Sequence, residues 1–138
     1  MTQEDKELLL KDLCARLPYG VKVDIPDLFV STKNNIEVLN EIFCGDDGEF
    51  RCNGSGMLIK HVKPYLFPLS SMPEEQLYNN PIGFSQMLTI KADRDWENIT
   101  INRRAYYKLV DWFNKNHFDY RGLIPMGLAN NATGKNIY

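Results

Sequence analysis

Apolar side chains recur at helical spacing in two stretches of the chain, one near each end. The first stripe has apolar residues at three- and four-residue intervals, Leu9, Leu10, Leu13, Cys14 and Leu17. Thr2 and Asp5 are the residue types of a capping box, and Pro18 and Gly20 suit a helix end. The pattern predicts an N-terminal helix of about four turns.

The second stripe predicts a long helix in the last third of the chain. Its apolar face comprises Ala105, Tyr106, Leu109, Val110, Trp112 and Phe113. Asn102 is a suitable N-cap, and Asn114 or Asn116 a suitable end, because Asn tolerates left-handed backbone. We expect a sheet to bury this face and residues 117–128 to pack back on the fold.

Short apolar runs between these helices predict strands. Residues 21–25 alternate apolar and polar side chains, and 36–44 is rich in β-branched residues, although a helix would also suit it; we favour a strand. An Asp-Gly turn at 45–48 predicts a hairpin that leads into strands at 50–52 and 57–62. Prolines at 64 and 68 favour an edge or crossing segment for 63–69.

Two further segments complete the predicted order. Ser71, Pro73 and two glutamates favour a short helix that Asn79-Asn80-Pro81 ends, and residues 83–92 fit a strand or irregular structure. Consecutive strands flanked by helices predict an α+β fold: a small twisted or barrel-like antiparallel sheet packed with an N-terminal helix and a long C-terminal helix. No repeat or linker divides the 138 residues, so a single domain, 1–138, is expected.

Composition is that of an ordinary globular protein, with 43% hydrophobic and 25% charged residues. No apolar run approaches the roughly 20 residues that a membrane helix needs. The polar, acidic start differs from a secretory signal, so we expect a cytoplasmic location.

Candidate chemistry is sparse, and no cofactor or metal is expected. Cys14, Cys44 and Cys52 form no C-x-x-C pair and are expected to remain thiols, although Cys44 and Cys52 flank the predicted hairpin and could face each other. The acidic run at 46–49 lacks the ligand pattern of a calcium loop, and no phosphate-binding glycine motif is present. His117 follows the predicted helix, where a protonated histidine is stabilised by the helix dipole.

Charge is unevenly distributed along a chain of net charge −2. Residues 1–56 hold 6 basic and 11 acidic side chains, and residues 57–138 hold 10 and 7. Arg103 and Arg104 begin the last helix, where the dipole disfavours cations. A small basic-aromatic surface could combine Arg103, Arg104, Tyr106, Tyr107 and Arg121 with Lys60 and Lys63. The alternative is that both arginines point into water or pair with Asp93, Asp95 or Glu97.

Three segments of the sequence resemble segments of other proteins. Residues 6–22, 63–72 and 117–129 resemble a group of uncharacterised small proteins of gut anaerobic bacteria and their prophages or other mobile elements. The resemblance implies a mobile-element origin and carries over no activity or site.

Three functions are consistent with these observations. The first is a non-catalytic binding or accessory protein that contacts a protein partner through Arg103, Arg104, Tyr106, Tyr107 and Arg121. Exposure of Tyr106, Tyr107, Trp112 or Tyr120 as a contiguous patch would support it. The second is a nucleic-acid-associated protein that uses the same basic-aromatic face, against which the pI near 5.7 argues. The third is a hydrolase or transferase built on His117, Asp119 and one cysteine. The oligomeric state is left open.

Overall fold

The computed structural model describes residues 1–26, 34–54, 56–93 and 99–138. Predictions made for residues 27–33 and 94–98, and for the side chain of Asp93, lie outside this range. In chain order the helices are α1 (Gln3–Arg16), α2 (Glu74–Tyr78), α3 (Phe84–Asp93) and α4 (Arg103–Lys115). The strands are β1 (Lys22–Pro26), β2 (Asn34–Val38), β3 (Ile42–Cys44), β4 (Phe50–Cys52), β5 (Met57–Leu58), β6 (Lys63–Leu66) and β7 (Asn130–Asn131).

Helix α1 forms as the sequence predicts. The Thr2 hydroxyl accepts a hydrogen bond from the Asp5 amide at 3.0 Å, and the Asp5 carboxylate accepts one from the Thr2 amide at 3.1 Å. A 3₁₀ turn follows at Leu17–Tyr19, and Gly20 takes the left-handed φ of 64° that sends the chain into β1. The predicted capping box and stop are therefore confirmed.

The strands form two sheets, neither of which closes into a barrel. The larger has the order β2-β1-β6-β7 and is mixed, because β7 runs parallel to β6. The smaller is the antiparallel set β3-β4-β5. Of the predicted twisted or barrel-like antiparallel sheet, the barrel alternative and the single antiparallel sheet are wrong, whereas the α+β class is confirmed.

Asn53 explains why the predicted strand at 36–44 divides. Its side-chain carbonyl accepts from the Asn40 amide at 3.0 Å, and its amide donates to the Val38 carbonyl at 3.0 Å. Between β2 and β3 the Asn40 amide is therefore bound to a side chain, whereas the Leu39 amide still donates to the Val21 carbonyl at 2.9 Å. The backbone φ at position 53 is 53°, a left-handed value that asparagine tolerates better than most residues.

Strand β6 lies inside the larger sheet, not at its edge as the prolines suggested. Pro64 pairs with Val23 of β1, whereas β7 pairs with Tyr65 and the next residue. The two neighbours thus contact different halves of β6. Proline has no amide hydrogen, and it is tolerated at position 64 because β7 does not pair with this residue, so hydrogen bonds are required only on the side of β1.

Two hydrophobic cores hold the elements. Helix α1 and both sheets bury the first core, which includes Leu9, Leu13, Val23 and Leu66. The second core is formed by α2, α3 and α4 with the segments beside them, and includes Met87, Ile90, Leu109 and Phe113.

Two predictions about helices are therefore wrong. Residues 84–93 are helical, because Met87 and Ile90 enter the second core at a three-residue spacing. Helix α4 buries Leu109 and Phe113 among helices instead of against a sheet, and its 13 residues are one fewer than those of α1. It is therefore not the long helix packed on a sheet that the periodicity predicted.

Candidate functional site

The first two turns of α4 carry the exposed aromatic and basic residues that the sequence singled out. The Asn102 side chain accepts from the Ala105 amide at 2.9 Å and so caps the first turn. Tyr107 is 59% exposed, and Tyr106 is 43% exposed although it lies one turn before Leu109 on the stripe that leads into the core. Of the other aromatic residues, Trp112 is half-buried and Tyr120 is buried. We call the exposed surface of these two turns the α4 face; its members are Arg103, Arg104, Tyr106, Tyr107 and Lys108.

Side chains of the α4 face contact one another. The Tyr106 and Tyr107 rings meet edge to face with centroids 5.9 Å apart. The Arg103 guanidinium carbon lies 5.9 Å from the centre of the Tyr107 ring, within cation–π distance. These contacts restrict the rotamers of the face, so less conformational entropy is lost when a partner binds.

The α4 face is electropositive. Helix α4 carries two arginines and two lysines against the single acid Asp111, and Asp111 accepts a hydrogen bond from the Tyr19 hydroxyl. That bond raises the pKa of Tyr19. Ion pairs between described residues involve neither Arg103 nor Arg104. The predicted alternative partners, Asp93, Asp95 and Glu97, have side chains outside the described residues.

Arg121, which the sequence grouped with Arg103 and Arg104, contacts α1 and Tyr120. Its Nη1 atom lies 2.8 Å from Asp12 Oδ1, and its guanidinium lies over Tyr120 at 4.6 Å. Asp12 also binds Arg16 Nε at 2.8 Å, and both of these side chains are fully buried. Arg121 is therefore part of a buried charge network of Asp12, Arg16 and Arg121. This network could not be predicted from the sequence, because Asp12 and Arg16 have the four-residue spacing of an ion pair on an exposed helix surface.

His117 and Asp119 have separate partners among the described residues. The Asp119 oxygens accept from the backbone amides of Leu123 at 2.8 Å and Ile124 at 2.9 Å. The His117 ring stacks on Tyr138 with centroids 3.9 Å apart, and its Nδ1 is buried without a hydrogen-bond partner among the described residues.

Burial favours a neutral His117, so the interaction of a protonated histidine with the helix dipole does not explain its position. Desolvation, followed by the charges of Arg16 and Lys22, lowers its pKa to about 4. Its backbone is left-handed, with a φ of 61°, so His117 rather than an asparagine supplies that turn after α4. The signal for a buried histidine was its position within the aromatic-rich run after the helix.

The acidic turn at 46–49 has a structural explanation. Arg51 contacts both carboxylate oxygens of Asp47, at 2.8 and 2.7 Å, and this pair holds the pKa of Asp47 well below its usual range. Among described residues, no cluster of three or more His, Cys, Asp or Glu side chains could hold a metal ion.

The cysteines do not face one another across the β3–β4 hairpin. The register pairs Cys44 with Phe50, and Cys52 with Ile42. Cys14 and Cys44 are exposed, whereas Cys52 is buried, and burial raises the pKa of Cys52 to about 11.

We expect a thiol reagent such as Ellman's reagent to modify Cys14 and Cys44 rapidly in the folded protein at mildly alkaline pH. Cys52 should react only after unfolding, because its thiol is buried and stays protonated. The measurement is the number of cysteine thiols per chain that react with the reagent before and after addition of urea. Rapid reaction of a Cys14→Ser, Cys44→Ser variant in the folded state would contradict the burial of Cys52.

Comparisons with protein-family models, with curated proteins and with solved structures find no match to the chain. The resemblance to small mobile-element proteins stays a prediction. No helix in the described ranges combines the length and the apolar character needed to cross a bilayer.

Proposed function

We propose that this protein is a non-catalytic binding protein whose α4 face recognises an acidic segment of a partner protein. The observation that supports it most is the exposure of Tyr106 and Tyr107 in the first two turns of α4, with Arg103 over the Tyr107 ring. Tyr and Arg are the residue types enriched among the energetically dominant positions of protein interfaces.

Charge favours an acidic partner. The positive side chains on α4 would attract carboxylates at long range and hold them by hydrogen bonds at contact. The tyrosine rings would cover the apolar parts of the same segment. An acidic partner would also offset the unfavourable interaction of Arg103 and Arg104 with the positive end of the helix dipole.

A nucleic-acid partner is the second candidate, because the same basic and aromatic residues can bind phosphates and stack on bases. Four basic side chains on one helix of an acidic protein make a small footprint for a polyanion. The hydrolase interpretation gains no geometric support among the described residues, since Asp119 is bound to backbone amides.

The proposal predicts that peptides selected against the protein from a library of short random sequences will be acidic and will bind through α4. Tyr107→Ala should weaken a selected peptide by about tenfold or more, measured by fluorescence anisotropy. Tyr78→Ala is the matched control, because Tyr78 is a 63% exposed tyrosine on α2 outside the α4 face. Arg103→Ala should weaken binding similarly, and Lys11→Ala should not.

Selected peptides that are not acidic, or whose affinity is unchanged by Tyr107→Ala and Arg103→Ala, would contradict the proposal. A labelled single-stranded oligonucleotide tests the second candidate in the same assay. Oligonucleotide binding that falls steeply with salt and is lost in Arg103→Ala would favour a nucleic-acid partner instead.

A further inference from the structure

A cleft of about 390 Å³ separates the first turns of α1 from the β3–β4 hairpin and the 3₁₀ turn at Ile59–His61. It is far along the sequence from α4 and shares no residue with the α4 face. Leu10 of α1 and Phe50 of β4 contribute apolar lining. The volume falls in the range of sites that hold small molecules.

Each wall of this cleft carries one positive and one negative side chain. Lys6 and Glu7 project from α1, whereas Glu49 and Lys60 belong to the opposite wall. Despite this proximity, none of the four takes part in an ion pair with a described residue. Within the described part of the chain, the Glu7 side chain accepts a single hydrogen bond, from the Gln3 side chain at 3.1 Å.

A ligand with one charge would meet both an attractive and a repulsive group on either wall. A ligand with an ammonium and a carboxylate could place each charge against an opposite one, which makes both contacts favourable. An apolar group between its charges would lie on Leu10 and Phe50, which exposes 41% of its surface in the absence of a ligand.

We propose that this cleft binds a small zwitterion with an apolar side chain, either a free amino acid or a short peptide. The carboxylate would contact Lys6 or Lys60, and the ammonium would contact Glu7 or Glu49. This site is independent of the α4 face, so failure of one proposal leaves the other unaffected.

The test uses the dipeptide leucyl-leucine and the full chain, with binding measured by calorimetry and by amide chemical-shift changes. We expect saturable binding, with shifts concentrated at residues 3–10 and 48–60. N-acetyl-leucyl-leucine and leucyl-leucine amide, which each lack one charge, should bind about tenfold more weakly, because each loses a charge-assisted hydrogen bond.

Variants locate the site. Lys60→Gln should lower the affinity for leucyl-leucine by about tenfold, so that leucyl-leucine no longer binds more tightly than its amide. Glu49→Gln should remove the advantage over the acetylated form. Lys11→Gln, on α1 but not lining the cleft, should bind as the unmodified protein does. Absence of saturable binding, equal affinity for all three ligands, or an affinity for leucyl-leucine that neither Lys60→Gln nor Glu49→Gln lowers would overturn the proposal.

Discussion

Asp12→Asn is expected to lower the free energy of unfolding by about 3–5 kcal/mol, because it leaves a fully buried arginine without its counter-charge. Asp12 and Arg16 have no exposed side-chain surface, and the two Asp12 oxygens bind Arg16 and Arg121 at 2.8 Å each. Arg16 also donates to the Phe118 carbonyl at 2.7 Å, and its Nη1 has no partner among the described residues. Urea unfolding, followed by far-UV circular dichroism, measures the loss.

A double variant separates charge from packing in this network. Asp12→Leu with Arg16→Met removes both buried charges and keeps most of the volume, so we expect it to be more stable than Asp12→Asn. Asp47→Asn is the control, because it breaks an Asp–Arg pair that lies at the surface. Its effect should be much smaller. Equal losses for Asp12→Asn and Asp47→Asn would show that Arg16 does not depend on Asp12.

His117 should make the protein less stable as the pH falls from about 6.5 to about 4. Its pKa is about 4 in the folded protein and 6.5 in an ordinary environment. Between these values the unfolded chain binds the proton and the folded protein does not, so acid favours unfolding. The contribution is complete above pH 6.5. After allowance for screening by solvent, we expect a loss of about 2 kcal/mol by pH 4.

His117→Asn should flatten this part of the pH dependence, because asparagine does not titrate and tolerates the left-handed backbone at this position. His61→Asn, at an exposed histidine, is the matched control and should retain the dependence. The measurement is the urea unfolding free energy at several pH values for all three proteins. The same acid loss in His117→Asn as in the unmodified protein would show that carboxylates account for it instead.

Features fixed by neighbours in sequence were the ones that could be predicted. The capping box of Thr2 and Asp5, the stop at Gly20 and the N-cap Asn102 depend on residues a few positions away. Residues 84–93 were harder to assign. Their apolar spacing indicates a helix only once the core that buries Met87 is known.

The candidate site was predicted in part. Tyr106 and Tyr107 lie beside Arg103, as expected from their adjacent positions on a helix. The ion pair of Arg121 could not be predicted, because its partner Asp12 is 109 residues away in sequence. The cleft lined by Glu7 and Lys60 was missed because its walls come from separate segments, each with an ordinary surface composition.

The long-range partners of α1 have a consequence for synthesis on the ribosome. Asp12 and Arg16 are translated long before the Phe118 carbonyl that Arg16 binds, which lies 102 residues further along the chain than Arg16. The nascent helix can therefore form early but cannot dock with its charges satisfied. Strand β7, which joins the larger sheet beside β6, arrives later still. We expect the emerging chain to remain sensitive to protease until residues 118–131 have been released, and then to become resistant in one late step.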